Sequence, residues 1–140
     1  MSMDDFAHCK ILGQTVRQES VVVDAKSGHS IELFLMTGQA VFRNGEVWTV
    51  SQSELDDLHK GSGSFQGQGF MVHSDGSTMA LAYQGKLKAE PDSNRASFTG
   101  DWQYVSGTGR VAGIQGAGTF KGSGAGDKFC SDSTGKISKP

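Results

Sequence analysis

Apolar and polar residues alternate with a period of two along much of the chain. From Met79 to Leu87 one phase carries Met79, Leu81, Tyr83 and Leu87, and the other carries Thr78, Ala80, Ala82, Gln84, Lys86 and Lys88. Ala96, Phe98, Gly100, Trp102 and Tyr104 share a phase opposite Ser97, Thr99, Asp101 and Gln103. This is the pattern of half-buried strands, whose successive side chains point to opposite faces. Asp75-Gly76 and Asn44-Gly45 are favoured two-residue hairpin turns, the first joining Phe65–Ser74 to Ser77–Ala89, the second joining Ala40–Arg43 to Glu46–Val50. Arg17–Asp24 and His29–Thr37 are rich in β-branched and aromatic residues around the turn at Lys26-Ser27-Gly28. A short strand is expected over Gly116–Lys121. Only Ser51–Lys60 reads as helix, with a serine cap and acids near its start.

One short helix cannot cover a sheet of seven or eight strands. The strands must close on themselves or pair as two sheets, and closure removes the edges that would otherwise aggregate. The expectation is one all-β domain over residues 1–140, a small eight-stranded antiparallel barrel with one short helix.

Composition sharpens this. Glycine makes up 20 of the 140 residues, and fifteen of them lie between Gly61 and Gly126. Only two prolines accompany them, which excludes collagen and proline-rich disorder. Glycine at alternate strand positions suits sharply bent sheets, and Gly67, Gly69, Gly85 and Gly100 are expected to leave space on the apolar face.

The net charge is -2, and no Lys/Arg cluster suggests nucleic acid. The longest apolar stretch, Ile31–Met36, is far short of the roughly 20 residues of a helical membrane span. Cys9 and Cys130 read as free thiols. The start MSMDDFAHCKILG lacks the basic and apolar regions of a signal peptide, so a cytoplasmic location is expected.

Ser97–Phe120, with Gly107, Thr108, Gly109, Arg110, Gly113, Gly116, Gly118 and Thr119 in the loop and the following strand, resembles the glycine-rich signature of allene oxide cyclase and dirigent-like barrels. Val111 stands where that signature has an aromatic, and the resemblance covers roughly Gly61–Gly122. It implies an eight-stranded barrel with a ligand-sized interior, a homotrimer, and cyclisation or isomerisation without a cofactor. The glycines of this loop also have a purely structural reading, since they permit positive φ and tight coiling. A phosphate cradle is disfavoured because no Lys-Ser/Thr and no helix follow.

No nucleophile elbow and no HExxH occurs, and His8, His29, His59 and His73 are scattered, so no metal is expected. Glu32 lies within a run apolar on both phases. It either faces the interior, where desolvation suits it to proton transfer, or faces solvent and pairs with Arg17 or Arg43. His73 shares a phase with Phe65, Gly67, Gly69 and Met71 and is either an interior base or a solvated hairpin end. Tyr83 is the remaining candidate donor, so the catalytic candidates are Glu32, His73 and Tyr83. Phe65, Met79, Leu81, Phe98, Trp102 and Tyr104 are expected to meet an apolar or aromatic ligand.

Two functions fit: a cofactor-independent isomerase or cyclase acting on a small apolar or amphipathic metabolite, or a lipocalin-like carrier with the same pocket and no chemistry. A buried ionisable group separates them, and a solidly packed interior would leave only an oligomerisation module. Val21–Val23 and Leu33–Met36, apolar on both phases, need covering twice, so a homo-oligomer, a trimer or dimer, is expected.

Overall fold

A computed structural model describes residues 2–139, except the side chain of Lys139. Eight strands, β1 (Cys9–Asp24), β2 (His29–Phe42), β3 (Val47–His59), β4 (Ser62–Val72), β5 (Thr78–Ala89), β6 (Arg95–Thr108), β7 (Gln115–Ala125) and β8 (Lys128–Lys139), pair with their sequence neighbours, all antiparallel. β8 returns to β1 through Cys9↔Ser133 to Gln14↔Lys128, which closes the barrel. The remaining regular elements are short 3-10 turns at Met3–Ala7 and Gly109–Val111.

The expected helix over Ser51–Lys60 is instead most of β3. Its register runs Gln52↔Met36, Glu54↔Phe34 and Asp56↔Glu32 on one side, and Gln52↔Gly69 and Asp56↔Phe65 on the other. The serine and the early acids match helix-start chemistry locally, but ladders with both neighbours outweigh that weak preference. In this strand Trp48, Val50, Gln52, Glu54, Asp56 and Leu58 face inward, while Thr49, Ser51, Ser53, Leu55, Asp57 and His59 face out.

Phe65, Leu81, Tyr83, Phe98, Trp102 and Tyr104 face the interior, as their phases predicted. The glycines beside them do not leave empty space. A Cβ on Gly85 would lie 2.2 Å from Thr99 O and 2.7 Å from the Phe65 ring, and one on Gly100 would lie 2.1 Å from Gln84 O and 2.5 Å from the Phe120 ring. Each glycine is a notch across which an aromatic ring from the neighbouring strand lies, and this lets so small a barrel hold so many rings.

One end is plugged. The Met3–Ala7 turn drops Phe6 and Ala7 into the barrel against Phe42, Trp48, Val111 and Ile114, and the Tyr104 hydroxyl donates to Phe6 O at 2.6 Å. The glycine-rich loop covers this end. Gly109, at φ 66°, sits against Ser77, and the Arg110 N–H donates to Ser77 Oγ at 3.2 Å, so the loop's glycines have a structural role here. The opposite end carries the β1–β2, β3–β4, β5–β6 and β7–β8 turns. There the β1–β2 hairpin runs past the start of β8: the Thr15 N–H still donates to Asp127 O at 2.7 Å, and beyond it β1 is paired with β2 alone.

Candidate functional site

The interior holds a cavity of about 220 Å³ that runs from the plug at Phe6 and Ala7 to the far-end turns at Asn94 and Gly126–Lys128. Its wall is aromatic on one side. Phe65, Tyr83, Phe98 and Phe120 form a cluster with ring centroids 6.0 to 6.3 Å apart. Trp102 and Tyr104 continue it, with centroids 4.9 Å apart, and the Trp102 indole N–H donates to Thr119 O at 3.2 Å. Expected ligand residues Phe65, Leu81, Phe98, Trp102 and Tyr104 all line the cavity. Met79 is fully buried in the core cluster and is not part of the lining.

The other side of the wall is β3, which contributes Gln52, Glu54 and Asp56. The Tyr83 hydroxyl joins them: it accepts from Gln52 Nε2 at 3.0 Å and donates to Glu54 Oε1 at 3.0 Å. Asp56, only 2% exposed, shares a hydrogen bond with Glu54. Burial, then that hydrogen bond, then the charges of Glu54 and Glu32 push the Asp56 carboxyl up to about 9, so it is a neutral acid at pH 7. Burial and the neighbouring Glu54 charge also raise the Tyr83 phenol, which keeps it a hydrogen-bond donor. Asp56 Oδ1 and Gln52 Oε1 are buried with no hydrogen-bond partner. A neutral acid hydrogen-bonded to a carboxylate, beside a fixed phenol, can give a proton at one oxygen and take one at another.

Glu32, the acid singled out in the sequence, is the register partner of Asp56 but does not line the cavity. Its carboxylate accepts from Ser20 Oγ, from Gln18 Nε2 at 3.4 Å and from Ser30 Oγ at 3.4 Å. Neither arginine weighed as its partner pairs with it, for Arg17 pairs with Glu19 and Arg43 with Asp5. Tyr83 and Glu32 are thus brought to the same region. His73 is not. It is in phase with the interior but lies past the end of β4, at the plugged end, where its Nδ1 accepts from the Asp75 N–H at 3.1 Å and its ring packs 5.3 Å from Trp48. Sequence reading missed Glu54 and Asp56 because a helix over Ser51–Lys60 scatters residues that a strand puts on one face; with Gln52, Glu54 and Asp56 opposite Ser53, Leu55 and Asp57, both phases are largely polar and no alternation signals the strand.

Two histidines that looked scattered also meet. His29 and His59 are register partners, their rings stacked at 4.2 Å, and Asp57 Oδ1 lies 2.6 Å from His29 Nε2 on the outer surface. Donor atoms of the three lie within 4.8 Å of one another, and they are the group among the described residues arranged closely enough to hold a metal. The rings are nearly parallel, so their lone pairs run side by side rather than toward one point, and a metal would require them to turn. Of the two cysteines, Cys9 lines the cavity with its thiol pushed up to about 11 by burial, and Cys130 is exposed; both are free.

No family model, curated protein or solved structure matches the chain. No helix among the described residues is long and apolar enough to cross a membrane.

Proposed function

We propose that the barrel encloses a small, largely apolar molecule and rearranges it by proton transfer, as a cofactor-independent isomerase or cyclase. The observation that carries this reading is the Glu54–Asp56 pair in an otherwise aromatic cavity. A carrier needs only an apolar enclosure, and a desolvated carboxyl pair with an unfilled acceptor weakens an enclosure that does nothing with it. Asp56 is the acid that protonates the bound molecule. Glu54 is the base that removes a proton from a neighbouring carbon, and Tyr83 orients a substrate oxygen or nitrogen. One proton enters and one leaves, so the conversion is mass-neutral, and the proton returns to Asp56 along the Glu54–Asp56 hydrogen bond. The resemblance of Gly107–Thr119 to allene oxide cyclase-like barrels supports the same class of reaction.

The test is to extract the small molecules that co-purify with the native protein and return them to it in deuterated water. A same-mass isomer carrying one solvent deuterium, formed by the parent protein and lost in Asp56→Asn, is the expected result. Retention of unchanged compound with no deuterium uptake would replace the enzyme by the carrier.

Self-association through the β1–β2 hairpin belongs to the same proposal. Val21, Val22 and Val23 are each more than half exposed, and Leu33, Leu35 and Leu55 lie exposed nearby. Sedimentation at micromolar concentration is expected to show an oligomer, and a monomer would remove this part.

A further inference from the structure

Glu54 and Asp56 line the cavity with no ion-pair partner among the described residues. Ion pairs among the described residues join Lys10 to Asp132, Arg17 to Glu19, His29 to Asp57, Arg43 to Asp5, and Arg110 and His73 to Glu46 and Asp75, all away from the cavity acids. The groups facing Asp56 are Glu32 from β2, Glu54 from its own strand and Tyr83 from β5, while Phe65 of β4 adds no charge. Cys9 and the mouth residues Asp127 and Lys128 complete the titratable lining. A buried carboxyl oxygen with no donor is a standing deficit in such a wall, since a lone buried acceptor has lost its water and gained nothing in exchange.

An incoming molecule relieves this deficit only if it brings N–H or O–H donors. Three further features decide which. Charge of the opposite sign suits the Glu54–Asp56 pair better than a neutral hydroxyl does. Phe65, Phe98 and Phe120 line the cavity, and aromatic rings attract a cation placed over their faces. A second unfilled acceptor, Gln52 Oε1, lies two inward positions along the same strand, so an elongated molecule with another polar hydrogen is accommodated as well. Beside Asp56 a carboxylate or phosphate head would meet the Glu54 carboxylate and would be rejected there, since the lysine of the lining, Lys128, stands at the mouth.

We infer that the cavity takes a cationic amphipath: a primary or secondary amine, bound as its ammonium against Asp56 and Glu54, with an apolar body along the aromatic wall. This names the ligand class of the site proposed above and rests on that cavity being the working one. The protons balance simply. An ammonium that enters from neutral solution displaces the Asp56 proton to the buffer, leaving ammonium and carboxylate paired; an amine that enters neutral takes that proton directly.

Octylamine, octanol and octanoate share one chain and differ only in the head, so they serve as probes in titration calorimetry at pH 7.5 in two buffers of different ionisation enthalpy. The expected result is saturable octylamine binding at least tenfold tighter than octanol, no octanoate binding, and release of close to one proton per octylamine bound. In Asp56→Asn the proton release disappears and octylamine weakens to the level of octanol, while an unchanged near-UV circular dichroism spectrum reports an intact fold. Octanol or octanoate binding as tightly as octylamine overturns the inference, as does octylamine affinity unaffected by Asp56→Asn, or no binding by any of the three. Failure of the catalytic reading is separate: amine binding with proton release but no turnover removes the enzyme and leaves the ligand class, whereas deuterium-marked isomerisation of a molecule without nitrogen does the reverse.

Discussion

Carboxylates at the two levels of this barrel are treated in opposite ways. At the plugged end Glu46 and Asp75 are both held by Arg110, whose Nε donates to Asp75 Oδ2 at 2.8 Å and whose Nη1 donates to Glu46 Oε2 at 2.9 Å. The Arg110 guanidinium lies 5.8 Å from the ring centres of both Phe6 and Trp48, so the clamp on the two acids is also a lid on the plug. Those hydrogen bonds hold Glu46 and Asp75 below the usual carboxylate range and raise Arg110. In the middle of the barrel Glu54 and Asp56 have no cation; they have each other and a phenol, and Asp56 goes up. Partnered charges here close an end of the barrel, and unpartnered ones line the space that the closure encloses. A buried acid without its counter-ion is weak structural material, and the function proposed above is built on that mismatch.

The largest expected effect breaks the closed end. Phe6→Ala removes a fully buried ring and leaves a hole between Phe42 and Trp48, and core losses of this kind cost about 3–5 kcal/mol. Denaturant unfolding is expected to show that loss; a change below about 1 kcal/mol would mean the plug is not part of the cooperative fold.

Next is the interior acid. An unfolded aspartate loses its proton near pH 4, whereas folded Asp56 keeps it to about 9. The folded state therefore binds more protons across that window, and Asp56 makes stability fall as pH rises through it, by up to about 1.4 kcal/mol per pH unit. Asn retains an N–H donor for Glu54 and has no proton to lose. Unfolding followed from pH 5 to 9 should flatten in Asp56→Asn, with the variant more stable than the parent at pH 8. Parallel slopes in the two proteins would mean that Asp56 ionises normally.

The smallest effect sharpens the opposite case. Glu46 and Asp75, with lowered values, contribute stability that is present above the ordinary carboxylate range and is lost as pH falls through their folded values. Arg110→Gln should remove that acid-side loss and cost about 1 kcal/mol at neutral pH, since the guanidinium is one third exposed and solvent weakens its pairs. Acid unfolding curves of parent and variant that stay parallel below pH 5 would show that the clamp holds no net stability.

The sequence by itself determined the fold class. Period-two alternation at Met79–Leu87 and Ala96–Tyr104, together with the turns Asn44-Gly45 and Asp75-Gly76, states strands and hairpins locally, because pleat and turn dihedrals are properties of a few adjacent residues. It also placed Tyr83, Trp102 and Tyr104 on the interior face. What only the tertiary structure decided was the reading of Ser51–His59 and, with it, the acids. A strand with Gln, Glu and Asp on its inward face and Ser, Leu and Asp on its outward face has no apolar alternation to announce it. Ladders with β2 and β4 make it a strand, and the closure of the barrel turns Glu54 and Asp56 inward. The same closure laid Phe65 across Gly85 and Phe120 across Gly100, filling space that the glycines alone were expected to leave open. Burial, unfilled acceptors and ring-over-glycine packing are relations between residues far apart in the chain, and local pattern does not carry them.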